Sequence, residues 1–221
     1  MKNLRFVALL LCLCLVCSPS FGQKIGIRGG ASFSNILEKD NYYTYSTENN
    51  LNAGLHFGPI VEFELAPGLD ISTGLLLSSK GARYHDEILG NDVLVKMKLA
   101  YLEIPVQMKT SYSFGTRQKV FLTVGPYIAL GAAGEIDATA TYSGGVNTGG
   151  GQIRWGYDPE SDDLRNIDYG ISLGTGFELG DILISFIYAH GLANISSYQD
   201  YGTSIKNKSF RISGGYFFIR Q

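Results

Sequence analysis

An all-β fold, an eight-stranded antiparallel up-and-down β-barrel that crosses a membrane, is what this sequence predicts. Three observations carry the prediction. Segment after segment alternates apolar and polar residues with a period of two, as strands do and helices do not. The alternating segments are long, and their connections are short on one side and long on the other, as in transmembrane barrels. The polar face is rich in glycine and serine and poor in charge, which suits a cramped interior better than a soluble surface.

Composition sets the frame. The chain has 221 residues, with Lys+Arg 18 against Asp+Glu 20, 28 glycines, 14 tyrosines and only 17% charged residues. Many aromatics and a small net charge argue against disorder, and no basic field is available for nucleic acid. Residues 1–22 read as a cleaved signal. Lys2 and Arg5 precede the apolar run from Phe6 to Cys17, and Ser20 and Gly22 supply small residues before a cut at Gln23. Loss of Lys2 and Arg5 takes the cations from 18 to 16 against 20 acids, a net charge of −4 for residues 23–221. Cys12, Cys14 and Cys17 leave with the signal, so cysteine chemistry is not expected in the barrel domain.

The first strand begins at Ile25, with Ile27, Gly29, Ala31 and Phe33 on one face and Arg28, Ser32 and Ser34 on the other. The second sets Leu51, Leu55, Phe57, Val61 and Phe63 against His56, Glu62 and Glu64. The third sets Leu69, Ile71, Leu75 and Leu77 against Asp70, Ser72, Ser78 and Lys80. In the fourth, Leu102, Ile104, Val106 and Met108 oppose Glu103, Gln107 and Lys109. Its phase changes near Tyr101, which predicts a β-bulge there. Val120 to Leu130, Ile167 to Phe177, Ile182 to Tyr188 and Phe210 to Phe218 complete the eight. Pro59, Pro105 and Pro126 fall inside strands, where they predict bulges or strand ends.

Short turns are expected at Ala66-Pro67-Gly68, Gly115-Thr116-Arg117 and Gly180-Asp181, and long loops over residues 37–50, 82–95, 135–165 and 193–207. That asymmetry puts both termini on the periplasmic side of a bacterial outer membrane. Phe57, Phe63, Tyr101, Tyr188, Tyr216 and Phe218 are candidates for interfacial aromatic girdles. The apolar face then meets outer-membrane lipid. The polar face fills the lumen, where Arg28, Lys80, Lys109 and Arg211 are expected to pair with Glu62, Glu64, Glu103 and Asp168.

Several stretches resemble the PorT-like outer-membrane β-barrel family. They are Gly26 to Ile36, Gly54 to Gly58, Tyr101-Leu102-Glu103-Ile104-Pro105-Val106, Val124 to Tyr127 and Asp168 to Gly176, the third being the most specific. The resemblance covers the chain after the signal and implies an outer-membrane barrel of about eight strands with no shared reaction. It also implies that some members assist protein secretion by the type IX route. The chain departs from a common barrel-assembly signal in ending on Gln221 in place of an aromatic.

Candidate chemistry is sparse. His56 points to the lumen, and His85-Asp86-Glu87 is expected in a long loop, where a protease-like site would need a second acidic pair. No P-loop or His-x-x-x-His spacing occurs. Asp158, Glu160, Asp162 and Asp163 lack the twelve-residue calcium-loop spacing and read as a solvated acidic loop. Trp155 and Tyr157 in that loop could meet a partner, the membrane interface or the loop's own packing. No cofactor, metal or catalytic residue is expected. The expectation is a monomeric, non-enzymatic barrel whose surface loops form an interaction or adhesion surface, or which serves in a secretion or envelope complex. A narrow solute channel and an outer-membrane enzyme or small-ligand barrel are the alternatives.

Overall fold

The computed structural model describes residues 22–42, 49–88, 91–198 and 202–220. The proposed signal over residues 1–22 lies outside them but for Gly22. Eleven strand segments follow in chain order: β1 (Gln23–Lys39), β2 (Asn49–Asn50), β3 (Asn52–Ala66), β4 (Leu69–Gly74), β5 (Leu76–Ile88), β6 (Asn91–Ser113), β7 (Gln118–Tyr142), β8 (Gly145–Gln152), β9 (Ile167–Leu179), β10 (Ile182–Gly191) and β11 (Ser204–Arg220).

β4 and β5 are two lengths of one strand interrupted at Leu75. With β1, β3, β6, β7, β9, β10 and β11 they make an antiparallel ring of eight, closed by β1 against β11. The expected barrel is therefore found. Its stagger can be read from the ladders. From Gly29 one route passes Phe57, Leu77 and Leu102 to Leu130 of β7. The other passes Gly214, Ile184 and Phe177 to Val120 of the same strand. The two arrivals differ by ten residues. Eight strands with that stagger tilt by about 40° and leave a backbone radius of about 8 Å, room for side chains and little else.

The faces divide as the alternation demands. Leu55, Phe57, Leu77, Leu102, Ile104, Leu122, Ile128, Leu173 and Ile184 are exposed on the outside, while Arg28, Glu62, Lys80, Glu103, Lys109, Asp168 and Arg211 are buried within. Tyr188, Tyr216 and Phe218 are exposed among the outward residues, but Tyr101 is 0% exposed and belongs to the lumen, not to a girdle. The reason lies in the bulge. It occurs between Ala100 and Tyr101, but the added residue is Ala132 on β7, where Tyr101 pairs with Gly131 and Ala100 with Ala133. β6 itself never changes phase. Its inward face turns from Leu99 and Tyr101 to Glu103, Gln107 and Lys109, a change of chemistry with height rather than of direction.

The prolines lie within continuous strands, not at strand ends. Pro59 and Pro105 flank the β4–β5 interruption, where Leu75 N–H donates to the Pro59 carbonyl at 3.2 Å and Thr73 Oγ1 to that of Pro105 at 2.7 Å. Beside them the β6–β7 ladder skips from Pro105–Tyr127 to Met108–Val124, past Pro126. The missing N–H groups are thus gathered into one gap in the ladder.

Two expected loops are largely strand. β5 and β6 continue as a hairpin to Ile88 and Asn91, and β7 runs on to Tyr142 and turns back as β8. A bilayer crossing takes about 9–11 tilted residues. With 23 residues in β6 and 25 in β7, these strands stand well clear of the ring's lipid-facing band. Both described termini lie at the opposite end, with the short turns.

Candidate functional site: a filled lumen beneath a projecting sheet

Two clusters of buried charge occupy the lumen. The first lies toward the turn end. Lys109 Nζ from β6 sits 2.7 Å from Oε1 of Glu62 on β3 and also meets Glu178 of β9. Lys24 Nζ lies 3.2 Å from Glu62, 3.5 Å from Glu178 and 3.7 Å from Asp70. Arg220 reaches Glu178 at 3.4 Å and Asp181 at 3.1 Å. The ammonium groups also face rings, Lys109 over Phe121 at 4.6 Å and Lys24 over Phe217 at 5.8 Å.

The second cluster lies toward the hairpin end. Lys80 Nζ is 2.9 Å from Asp168 and 3.2 Å from Glu103, and it faces the rings of Tyr127 at 4.3 Å and Tyr101 at 5.0 Å. Arg211 Nη1 donates to Glu103 Oε1 at 2.6 Å. Asn207 Nδ2 donates to Asp168 at 3.0 Å and to the Tyr101 hydroxyl at 3.3 Å. Lys80–Asp168 and Arg211–Glu103 join strands that are not neighbours in the sheet and so span the interior, whereas Lys80–Glu103 joins the adjacent β5 and β6. Each buried charge is expensive alone and tolerable when paired and hydrogen-bonded.

Of the charges expected in the lumen, Lys80, Lys109, Arg211, Glu62, Glu103 and Asp168 are brought into these clusters. Glu64 is not: it is exposed at the turn-end rim, where β3 shifts register against β4. Arg28 is buried, yet it has no ion pair or side-chain hydrogen bond among the described residues. Lys24, Asp70, Glu178 and Arg220 complete the first cluster without having been singled out. Their signal was available, because Asp70 and Glu178 share the inward phase of the residues that were.

Above the second cluster the mouth is closed. Ile36, Leu99, Tyr101, Leu164, Ala193 and Ile195 form a buried apolar layer against which Trp155 packs. The Trp155 ring meets that of Tyr101 edge-on at 5.6 Å between centroids. Residues 153–166 and 192–198 supply this cap, pinned by the Leu164–Ser196 bridge and by Arg165 N–H donating to the Ile195 carbonyl at 2.8 Å. Trp155 therefore serves the cap, not an outer surface.

The acidic residues of that loop shape a turn. Asp158 accepts from Glu160 N–H at 3.1 Å and from Ser161 Oγ at 2.9 Å, while Asp162 accepts from Asp158 N–H at 3.0 Å. Asp163 is held by Arg154 through its side chain, at 3.1 Å from Nη2, and through its N–H at 2.8 Å. These bonds to the charged form hold the Asp163 carboxyl below the usual carboxylate range.

His85-Asp86-Glu87 lies on strand β5, not in a loop. Successive strand residues point to opposite faces, so His85 and Asp86 diverge. His85 Nε2 is 3.5 Å from Asp92, and Asp86 accepts from the Tyr84 hydroxyl at 2.9 Å, all on exposed strand. His56 Nε2 is 2.8 Å from Ser213 Oγ inside the barrel. His190 is 3.4 Å from the Tyr188 hydroxyl. No group of three or more His, Cys, Asp or Glu that could hold a metal occurs among the described residues.

Solved structures similar in fold include the outer membrane protein OprG from Pseudomonas aeruginosa, at 10% identity and TM-score 0.48, over 90% of this chain and 97% of that one. The attachment invasion locus protein Ail of Yersinia pestis is 12% identical with TM-score 0.34, over 90% and 100% of the two chains. The outer membrane protease OmpT from Escherichia coli is 12% identical with TM-score 0.34, over 91% and 99%. No curated protein matches the chain in sequence. The model of the outer membrane protein beta-barrel domain matches residues 21–197, and the chain belongs to that family.

Proposed function

We propose that this outer membrane barrel is a non-enzymatic, monomeric interaction protein that works through the sheet projecting from its hairpin end. One observation carries the reading: the ring continues beyond the lipid-facing band as a sheet whose outermost strand, β8, has an unpaired edge. Among the described residues β8 pairs only with β7, and all eight of its residues, Gly145–Gln152, are exposed. It carries no charge and no proline, the devices that usually blunt a free edge. Such an edge offers main-chain hydrogen bonds to an extended segment of a protein partner.

The lumen supports the same reading from the other side. Its paired charges and apolar cap leave little free path for solutes, and His85 with Asp86 lacks the convergent geometry of a catalytic pair. Residues 1–22 act as the export signal, the termini and short turns face the periplasm, and the projecting sheet faces outward. The resemblance at Tyr101-Leu102-Glu103-Ile104-Pro105 supports placement near the PorT-like proteins, with a secretion or envelope complex as the partner's setting.

Replacing residues 135–152 with a tight turn tests this. The truncated barrel should still insert and resist unfolding in cold detergent, and partners that co-purify from the native envelope with the intact chain should be lost. Undiminished co-purification overturns the reading, as does peptide or lipid hydrolysis that disappears with His85→Ala.

A further inference from the structure

The outer face of the ring ends differently on its two sides. On β11 the outward residues climb from Ile212 and Phe210 to Lys208 and Lys206, while Asn207 and Ile205 between them face the lumen and the cap. Lys208 pairs in the ladder with Asn35 of β1 and His190 of β10, Lys206 with Leu37, and Ser204 with Lys39. The next row toward the turn end is Phe33, Phe210 and Tyr188, and below it lie Ala31, Ile212 and Phe186. A basic row therefore sits directly above an aromatic row of the lipid-facing band. Lys206 and Lys208 are about 7 Å apart along β11, and Lys39 stands one row higher on the adjacent strand.

These cations are unmatched. Lys39, Lys206 and Lys208 have no ion pair among the described residues. Over residues 33–39, 188–190 and 204–210 the sole acid is Glu38, which shares the inward phase of Ile36. Ala53 and Leu55 of β3, beside Phe33 and Ala31, add only apolar surface. By contrast, Lys98 on β6 lies 2.7 Å from Glu135 and 3.2 Å from Asp137, so its charge is met from within the sheet. An uncompensated basic cluster attracts anions. The aromatic row beneath selects among them, because an anion carried on acyl chains fills both rows at once.

We propose that the outward face of β1, β11 and β10 binds a phosphorylated lipid of the outer leaflet. Its acyl chains lie against Phe33, Phe210 and Tyr188, and its phosphate is held by Lys206 and Lys208 as point charges. Lys39, a row higher, meets further headgroup charge. β11 is four strands from β6 in either direction around the ring, so a lipid held here leaves β8 clear. The assignment rests on the outward orientation of the hairpin end proposed above, and it needs no protein partner at the β8 edge.

The test titrates the intact barrel in a neutral detergent with lipid A and with dephosphorylated lipid A, and reads bound lipid by native mass spectrometry. Lipid A should be retained about tenfold or more tightly than the dephosphorylated form. Lys206→Gln combined with Lys208→Gln should weaken that retention about twentyfold, at roughly fivefold for each basic residue near an anionic surface. The dephosphorylated form should bind the double variant as it binds the wild type, and Lys98→Gln should change neither lipid's retention. Equal retention of the two lipids by the wild-type barrel overturns the proposal. So does a loss on Lys98→Gln as large as that of the double substitution. Orientation is read separately: on intact cells a membrane-impermeant maleimide should label the Thr148→Cys barrel. Labelling only after the outer membrane is broken overturns the orientation, and with it the outer-leaflet assignment, whatever the titration gives.

Discussion

Lys109 Nζ lies 2.7 Å from both carboxylate oxygens of Glu62, an ion pair between β6 and β3 that reaches across the interior past the β4–β5 strand. Lys109→Met would leave Glu62 and Glu178 buried with fewer partners, and breaking such a pair costs about 3–5 kcal/mol. Urea unfolding in detergent should show that loss. Combining Lys109→Met with Glu178→Gln should recover a substantial part, because the charge count is restored.

A lumen occupied in this way should not conduct. Reconstituted in planar bilayers, the barrel is expected to give no steady single-channel current. A large, stable current would show that the clusters and cap part far more readily than their geometry implies.

Trp155 is the only tryptophan in the chain, which makes the cap optically visible. A Cβ added at Gly131 would come within 2.6–2.8 Å of its ring. Gly131→Ala should therefore push the indole out of its contact with Tyr101. Overpacking of this kind costs about 1–3 kcal/mol. The checks are a red-shifted Trp155 emission and a lower unfolding midpoint.

Acid should loosen the same cap late. Because the Arg154 side chain and N–H hold the Asp163 carboxyl below its unfolded value, that contribution is complete above the unfolded pKa of about 3.9. It disappears as pH falls through the lower folded value. Trp155 emission should stay constant from neutral pH to about 4 and change only in stronger acid. Asp163→Asn should remove this step.

The outer face obeys the opposite rule. Leu122 is 60% exposed on the ring's outer surface, and Leu122→Arg should destabilise the barrel in lipid by about 2–4 kcal/mol if it lies near the midplane. The same substitution in detergent micelles, which deform around a charge, should cost less.

The alternation of single residues made the barrel and its two faces legible, since a period of two assigns every side chain in a strand to lipid or lumen. It could not show which charges meet. Lys80 finds Asp168, 88 positions away, only because the ring closes with a particular stagger, and no local pattern records that stagger. Glu64 shares the phase of Glu62 but lies two residues nearer the rim, in water. Tyr101 looked like a girdle residue because its apolar neighbours Met97 and Leu99 suggested a change of face. The actual irregularity sits on the partner strand at Ala132, in the bland run Gly131-Ala132-Ala133-Gly134. The projecting hairpins escaped notice for a related reason: strand exposed on both faces needs no apolar alternation.

The pairing of β1 with β11 has a consequence for how the molecule is made. The contacts that seal the ring join residues nearly two hundred positions apart, Lys24 with Arg220 at the extreme. Until the last strand arrives, β1 has a bare edge and the inward charges have incomplete surroundings. Folding is therefore a final stitching of head to tail, slow by the measure of contact separation. A chain shortened by one strand at either terminus would lose the whole enclosure rather than an eighth of it.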